Sequence, residues 1–536
     1  MIGVVARAEE LEWVEEFFEL FKTPWELATP GKRYSAVLAS VGDGDGYDAP
    51  LVMVYGSDER EVDRRNRAPV QCSAGAASIR WNDDRFPLYG RVATFGADGR
   101  DTVLHAASGA VDYRQHDGTT LVRRIGYDLF REVRHLLTSG QTPSHAETAT
   151  LEMHIDVVRT LLRDSGVTWV EVPPRPYGTA FICCLTHDID FFGVRRHRAD
   201  ATLGGFVVRG TVGALVDVVR GRRPVDELWR NWLAVLSLPL VFLGLRRDFW
   251  QPFDDYRQAD GNRPSTFFLI PFKQRAGIGP DGATRQRRAA PYGVRDISDQ
   301  IHTAAGPSTE FALHGIDAWR DAADGRAELR ELTRASGQTH SGVRMHWLYY
   351  SDASPRAIED AGFTYDSTWG YNDAVGFRAG TSQAFRLPGT RQLLELPLAI
   401  MDTALFYPSR MGLTRTAAMA RCRGLLRQMH RFGGALVINW HDRSLVPERQ
   451  WGRPYRELLA DMPTNTWFAT AGHTVEWFAW RRSVRFCADD RAGTIRVEAR
   501  AQANHLPAGS IVVRRQSGET SVEELQFSGE SRTIVL

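Results

Sequence analysis

The segment FICCLTHDIDFFG, residues 181–193, runs through apolar residues and then meets Thr186, His187, Asp188, Ile189 and Asp190. The apolar part reads as a buried strand. Strand side chains alternate faces, so Asp188 and Asp190 share one side while His187 and Ile189 take the other. Two carboxylates that close repel each other unless a cation or a shared proton relieves them, and either relief is chemistry: a metal site or an acid–base pair. The alternative is a solvated loop start in which Asp188 or Asp190 caps a helix at Phe191.

Further strand-like runs end on residues able to bind a metal or move a proton. "EFALHG" ends with His314, "GVRMHW" carries Arg344 and His346 on one face, "FTYDST" holds Asp366, "LAIMD" ends with Asp402 and "LVINWH" with His441. A lone histidine would read as structural; such residues at equivalent positions of successive strands point to one site. His187, facing away from the acids, reads as structural, and Cys183 and Cys184 as small buried hydrophobes.

The elements that must position these residues follow from pattern. From 181 onward strand-like runs such as "STFFLIPF" and "STEFALHG" alternate with helical ones such as "GRAELRELTRASG" and "RTAAMARCRGLLRQMHRFGG". That alternation implies parallel strands in a barrel or open sheet, with ligands beyond the C-terminal strand ends. Residues 1–175 read as an α+β domain, 176–484 as the (β/α) region with a helical insertion near 200–255, and 485–536 as a small β appendage. "EVPPRPYG" at 171–178 reads as a linker, and "GDGDGYD" at 42–48 as a turn, because Tyr47 and Val54 stand where a calcium loop needs oxygen ligands.

At 536 residues the chain exceeds one core. Its 66 basic and 65 acidic residues nearly cancel, which gives no electrostatic case for nucleic acid and leaves small molecules or sugars as partners. Five cysteines without a C-x-x-C pair argue against a disulfide framework or thiolate zinc site and for a reducing compartment. The N-terminus reads as an amphipathic helix, with Leu11, Val14, Phe17, Phe18 and Phe21 on one side, rather than a secretion signal, so the expected location is cytoplasmic. The apolar "NWLAVLSLPLVFLGL" at 231–245 is short for a bilayer and contains Pro239. It reads as a helical insertion packed on the protein or a patch resting on a membrane surface, and no transmembrane segment is expected.

The ordered set T-H-D-x-D, S-T-F-F, a strand ending in H-G, R-x-H-W, Y-D-S-T and "INWH" resembles the polysaccharide deacetylase family, the NodB-homology carbohydrate esterases, over residues 181–480. The resemblance implies a distorted, incomplete (β/α) barrel and a divalent metal, zinc in this reading. It implies that Asp188 is the general base, Asp190 and His314 bind the metal, Arg344 orients the base, the Trp347 backbone N–H faces the oxyanion and His441 is the general acid. One departure stands out. Four residues after His314, where the family's second metal histidine belongs, is Ala318. His346 is the expected substitute, on the face of Arg344, with Asp317 as the alternative. Trp347, Asp366 and Arg378 make the expected substrate-binding set; Arg378, in "GFRAGT", either holds a sugar phosphate or carboxylate or makes a salt bridge of the fold. The implied activity is removal of an N-acetyl group from a glycan or an activated, lipid- or nucleotide-linked sugar in cell-surface glycan synthesis. The alternatives are a metal-independent amide hydrolase on the same barrel, or an inactive glycan-binding scaffold.

Overall fold

A computed structural model describes the whole chain except residues 74, 76, 97–100, 198–199, 222–223, 339–340, 490–493, 527–530 and 536. The alternating region forms a ten-stranded, mainly parallel sheet. Its centre runs Val343–Met345, Thr309–Gly315, Ser265–Leu269, Ile182–Ile189, Ala435–Asn439. Tyr365–Asp366, Leu394–Glu395 and Phe385–Arg386 extend one side, Leu398–Met401 ends the other, and Trp467–Phe468 also pairs with the Ile182 strand. The sheet curls into a half-barrel without a closing ladder: among the described residues the stretch after Tyr365–Asp366 meets the Leu398–Met401 edge through Leu398 N–H to Trp369 O at 3.1 Å and Gly376 N–H to Ala399 O at 2.7 Å. The central strands are buried along their length, as parallel strands covered on both faces must be. Helices Ala322–Ser336 and Ser354–Ala361 end at Gly337 and Gly362, both in the left-handed conformation that glycine adopts without a Cβ penalty.

The first domain has a six-stranded sheet, parallel apart from the hairpin Asp112–Asp117/Thr120–Ile125, and a second, antiparallel six-stranded sheet. It is bolted to the half-barrel by a buried guanidinium: Arg481 donates to the carbonyls of Val172, Leu20 and Glu19 at 2.6, 3.1 and 3.0 Å. Residues 42–48 are loop, with Gly42, Gly44 and Gly46 at positive φ.

Two features depart from expectation. Of the C-terminal strands, Arg485–Asp489, Thr494–Glu498 and Arg532–Val535 form a sheet of their own, but Gly509–Arg514 pairs antiparallel with Trp169–Glu171, so the end of the first domain and the terminal region share a sheet. The insertion is a helical hairpin, Ala201–Val219 and Val225–Phe242, and its first arm, not the 231–245 run, is long and apolar enough by length and composition to cross a membrane.

Trp477 Nε1 donates to Pro507 O at 3.1 Å, and Trp480 lies against Gly509. A chain ending at Val484 should therefore show a lower Tm and aggregate through the bared Trp169–Glu171 edge, whereas an unchanged melting curve would mark the terminal region as an appendage after all.

Candidate active site

At the C-terminal mouth of the half-barrel, a cavity of about 280 Å³ is lined by Asp188, Asp190, His314, His346, Trp347 and His441. Asp188 ends the first strand and Asp190 follows it. Arg344 Nη1 donates to Asp188 Oδ1 at 2.9 Å and Asn439 Nδ2 to Oδ2 at 2.7 Å. Burial alone would raise the Asp188 pKa, but His314, Arg344 and His441 outweigh it and hold the carboxyl below its usual range. Arg344 is itself fully buried, bonded to Thr186 Oγ1, Ser367 O and Ser367 Oγ and stacked over Phe268.

Asp190, His314 and His346 present one ligand atom each within 4.8 Å of one another. His314 Nδ1 lies 3.0 Å from the Arg344 carbonyl and must carry hydrogen to bond it, which turns Nε2 toward Asp190 Oδ1 at 3.4 Å. His346 Nε2 faces the same oxygen at 3.4 Å, and burial, only partly opposed by Asp190, drives the His346 pKa down to about 3. Asp190 Oδ1 is buried without a hydrogen-bond partner. Three ligand atoms converging within 4.8 Å, one of them a buried carboxylate oxygen without a hydrogen-bond partner, form a site that a cation would complete. The donor set of one carboxylate and two imidazoles fits a divalent transition metal such as zinc and leaves a coordination position for substrate or water.

His441 has the opposite electrostatics. Its Nδ1 is 2.6 Å from Asp402 Oδ1, and its backbone N–H donates to Asp402 Oδ2 at 2.8 Å; the Ser444 hydroxyl also bonds that carboxylate. Burial would lower the His441 pKa, but Asp402 overrides it and raises it to about 10, so the ring is an imidazolium at neutral pH. An ionised carboxyl, a cluster of one carboxylate and two imidazoles, and an imidazolium thus share one cavity.

His346 reaches the cluster because the strand Val343–Met345 turns sharply after it. Trp347 and Leu348 adopt φ of +67° and +55°, left-handed backbone costing on the order of 1–3 kcal/mol at non-glycine residues. The turn is held by Arg288, which donates to His346 O at 3.0 Å, and by Asn372, which donates to Trp347 O at 3.2 Å. The Trp347 side chain is 38 % exposed at the cavity. Asp317 is engaged elsewhere, by Arg275 at 2.9 Å and by the Ile278 N–H at 2.9 Å, and Ala318 is buried against Gly325 of the Ala322–Ser336 helix, where a histidine would not fit.

Two expected substrate contacts lie outside the cavity. Asp366 is fully buried, accepts from the Thr368 N–H at 3.1 Å and pairs across the sheet with Glu395. Burial raises both carboxyls, Asp366 to about 6, so this is an internal proton-sharing pair rather than a substrate ligand. Arg378 lies over the Trp369 ring and donates to Gly370 O at 2.9 Å, and its carbonyl accepts the Gln141 N–H. Its loop is pressed on the first domain: a Cβ on Gly376, at φ +138°, would sit 2.0 Å from Ala146 O. Arg378 therefore serves the domain contact, with aromatic and carbonyl partners. His187 points away from the site, to Asp260 and the Trp440 carbonyl.

Other groups carried weaker sequence signals. Asn439 stands two residues before His441 in "INWH" and could have been found by the same period-two argument. Arg410, Arg443 and Arg449 also line the cavity, from loops without pattern. Arg410 bonds Thr403 Oγ1, Arg443 stacks on the Phe191 ring, and Arg449 donates to the Tyr407 hydroxyl and lies over the Tyr407 and Trp451 rings, while the carboxyls of Asp442 and Glu448 act on both Arg443 and Arg449.

No family model and no curated protein matches the chain. Among solved structures, a Mycobacterium smegmatis protein assigned as a polysaccharide deacetylase is 21 % identical, with a TM-score of 0.34 over 57 % of this chain and 95 % of that one. Puue allantoinase is 13 % identical, with a TM-score of 0.34 over 58 % and 93 %. The G. stearothermophilus GH42 β-galactosidase Gan42B, as its E323A mutant, is 9 % identical, with a TM-score of 0.23 over 32 % and 31 %.

The cluster geometry sets an elemental-analysis result. His314→Ala, His346→Ala and Asp190→Asn should each lose most bound divalent metal, while Asp317→Ala and Asp188→Asn retain it. Retention by His346→Ala, or loss by Asp317→Ala, would exchange the two candidate ligands.

Proposed function

We propose that the protein is a metal-dependent hydrolase that removes an N-acetyl group from a sugar of a cell-surface glycan precursor. The observation that carries this reading is the buried, unpartnered Asp190 Oδ1 facing two imidazoles, beside an ionised Asp188 and a cationic His441. Asp190, His314 and His346 would hold the metal, which when bound supplies Lewis acidity toward the amide carbonyl and makes water more acidic. Asp188, aimed by Arg344 and Asn439, takes the proton of the attacking water. His441, kept protonated by Asp402, delivers its proton to the departing nitrogen, so the sugar leaves as a neutral amine. The Trp347 turn, held by Arg288 and Asn372, presents backbone toward the developing oxyanion. A metal-free amidase on the same scaffold would give the converging Asp190, His314 and His346 no common role, which is why it ranks second.

Arg410, Arg443 and Arg449 add positive charge to the cavity, partly offset by Asp442 and Glu448 beside the last two, and the three guanidiniums together favour an anionic sugar derivative such as a phosphate-linked precursor. The cysteines are free thiols, in keeping with a cytoplasmic setting.

The test is amine release from N-acetylhexosamine oligosaccharides and from nucleoside-diphosphate-linked and lipid-linked N-acetyl sugars. Release should stop on chelation and return with zinc; undiminished release by metal-free protein would overturn the reading. Asp188→Asn should lower turnover at least about a hundredfold with metal content unchanged, the usual scale for a general base.

The pH profile supplies a further check. His441 titrates above its unperturbed value, so its proton is present below about pH 10 and lost above it. The alkaline limb of kcat should therefore lie well above neutrality. Asp402→Asn removes the charge that opposes burial, so that limb should move to lower pH; an unmoved limb would take His441 out of the acid role.

A further inference from the structure

The hairpin between Asp200 and Arg247 is apolar on the wrong side. In its second arm, Val225–Phe242, the inner face of Leu228, Ala234, Leu238 and Val241 is buried, the last three packed with Phe206, Trp250 and Val446. The outer face carries Trp229, Leu233, Leu236, Leu240 and, just past the helix, Leu243, exposed by 58, 61, 75, 46 and 72 %. Their spacing of four and three residues makes one continuous stripe. The first arm repeats the pattern with Val208, Val212, Leu215 and Val219, exposed by 44–79 %. Apart from Leu27, Tyr177, Trp347, Val522 and Val535, every exposed large hydrophobic residue described lies in this hairpin or at Leu245 just beyond it. A concentration of that kind marks a docking face.

We propose that this hairpin lies in the surface of an anionic lipid bilayer. Exposed Arg220, Arg230, Arg246 and Arg247 stand near the ends of the stripes, Arg230 beside Asp226 at 3.7 Å and Arg247 beside Asp255 at 3.0 Å, pairs exposed enough for lipid phosphate to compete with, and Trp229 sits within the leucine face. Hydrocarbon for the leucines, phosphate for the arginines and a headgroup boundary for the indole are what one bilayer surface offers together. A second copy of the chain would match the leucines but bring arginines toward arginines.

The hairpin lies in the plane rather than crossing. Although Ala201–Val219 is long and apolar enough to span, both arms are pinned to the catalytic region. Arg209 faces Glu448 at 3.9 Å, and Gln450 Nε2 donates to Glu227 O at 3.1 Å and to Asn231 Oδ1 at 2.9 Å. The inner face is thus committed to protein. The anchoring cluster adjoins the cavity, because Arg443, a cavity residue, stacks on Phe191 and Trp250. Membrane docking therefore sets the catalytic mouth beside the bilayer, where a lipid-borne phosphate-linked sugar would be presented; this consequence rests on the hydrolase reading.

Co-sedimentation of the full chain with vesicles is the test. Wild type should pellet with phosphatidylcholine vesicles containing phosphatidylglycerol and bind pure phosphatidylcholine more weakly. Leu233→Glu/Leu236→Glu should lower the partition coefficient at least about tenfold, and Arg246→Ser/Arg247→Ser should flatten its dependence on salt. Metal content and the thermal transition report that both variants are folded. Wild type left in the supernatant with both vesicle types, or binding unchanged in the leucine variant, overturns the proposal. So does a dimer in sedimentation velocity that the leucine substitutions dissociate, since the face would then belong to a second copy. Vesicle binding without amide hydrolysis would strike the proposed function alone.

Discussion

The guanidinium of Arg344 is the tie on which the site depends. It is fully buried, and a buried charge deprived of its partner costs about 3–5 kcal/mol, so its neighbours are locked together. The side chain spans from its own strand to Thr186 and Asp188, over the two intervening strands, which is possible only because the sheet curls. The backbone carbonyl of the same residue receives His314 Nδ1 and thereby turns His314 Nε2 toward Asp190. One residue thus aims the proposed base with its side chain and a proposed metal ligand with its main chain.

Around that tie, burial and partners divide two histidines into opposite roles. His346 is buried with a depressed pKa, so its ring is neutral at neutral pH. His441, at the cavity and less enclosed, is bonded to Asp402 through both ring and backbone and remains a cation. The difference is one carboxylate. Separating titratable groups in this way lets one cavity hold a neutral imidazole and an imidazolium at the same pH.

The remaining domains act on the site through rigidity. Gly376 and Gly380 allow the Arg378 loop to press on Ala146 and Leu151 of the first domain, and Arg481 closes the same contact from the last helix. Trp169–Glu171 then carries the terminal strands, so the first domain, half-barrel and C-terminus are joined in series. Behind the half-barrel strands, Asp366 and Glu395 occupy adjacent strands as a buried carboxyl pair, a polar lock within the sheet rather than part of its mouth.

Much of this was legible in local pattern, because period-two alternation, glycine stops and strand-end polar residues are properties of a few consecutive residues. They suffice to align Asp188 with Asp190 and Arg344 with His346, and to place Asp402 and His441 at strand ends. They do not say what a strand-end acid faces, and so Asp366, identical in position to the site residues, proved to be an interior partner of Glu395. The arginines of the cavity come from irregular loops whose direction no periodicity encodes, and the pairing of Trp169–Glu171 with Gly509–Arg514 joins segments more than three hundred residues apart. Which groups belong to the site depended on the curl of the sheet, because distance between strand ends is a property of tertiary packing, whereas the face a side chain takes on its strand is already set by the covalent geometry of the chain.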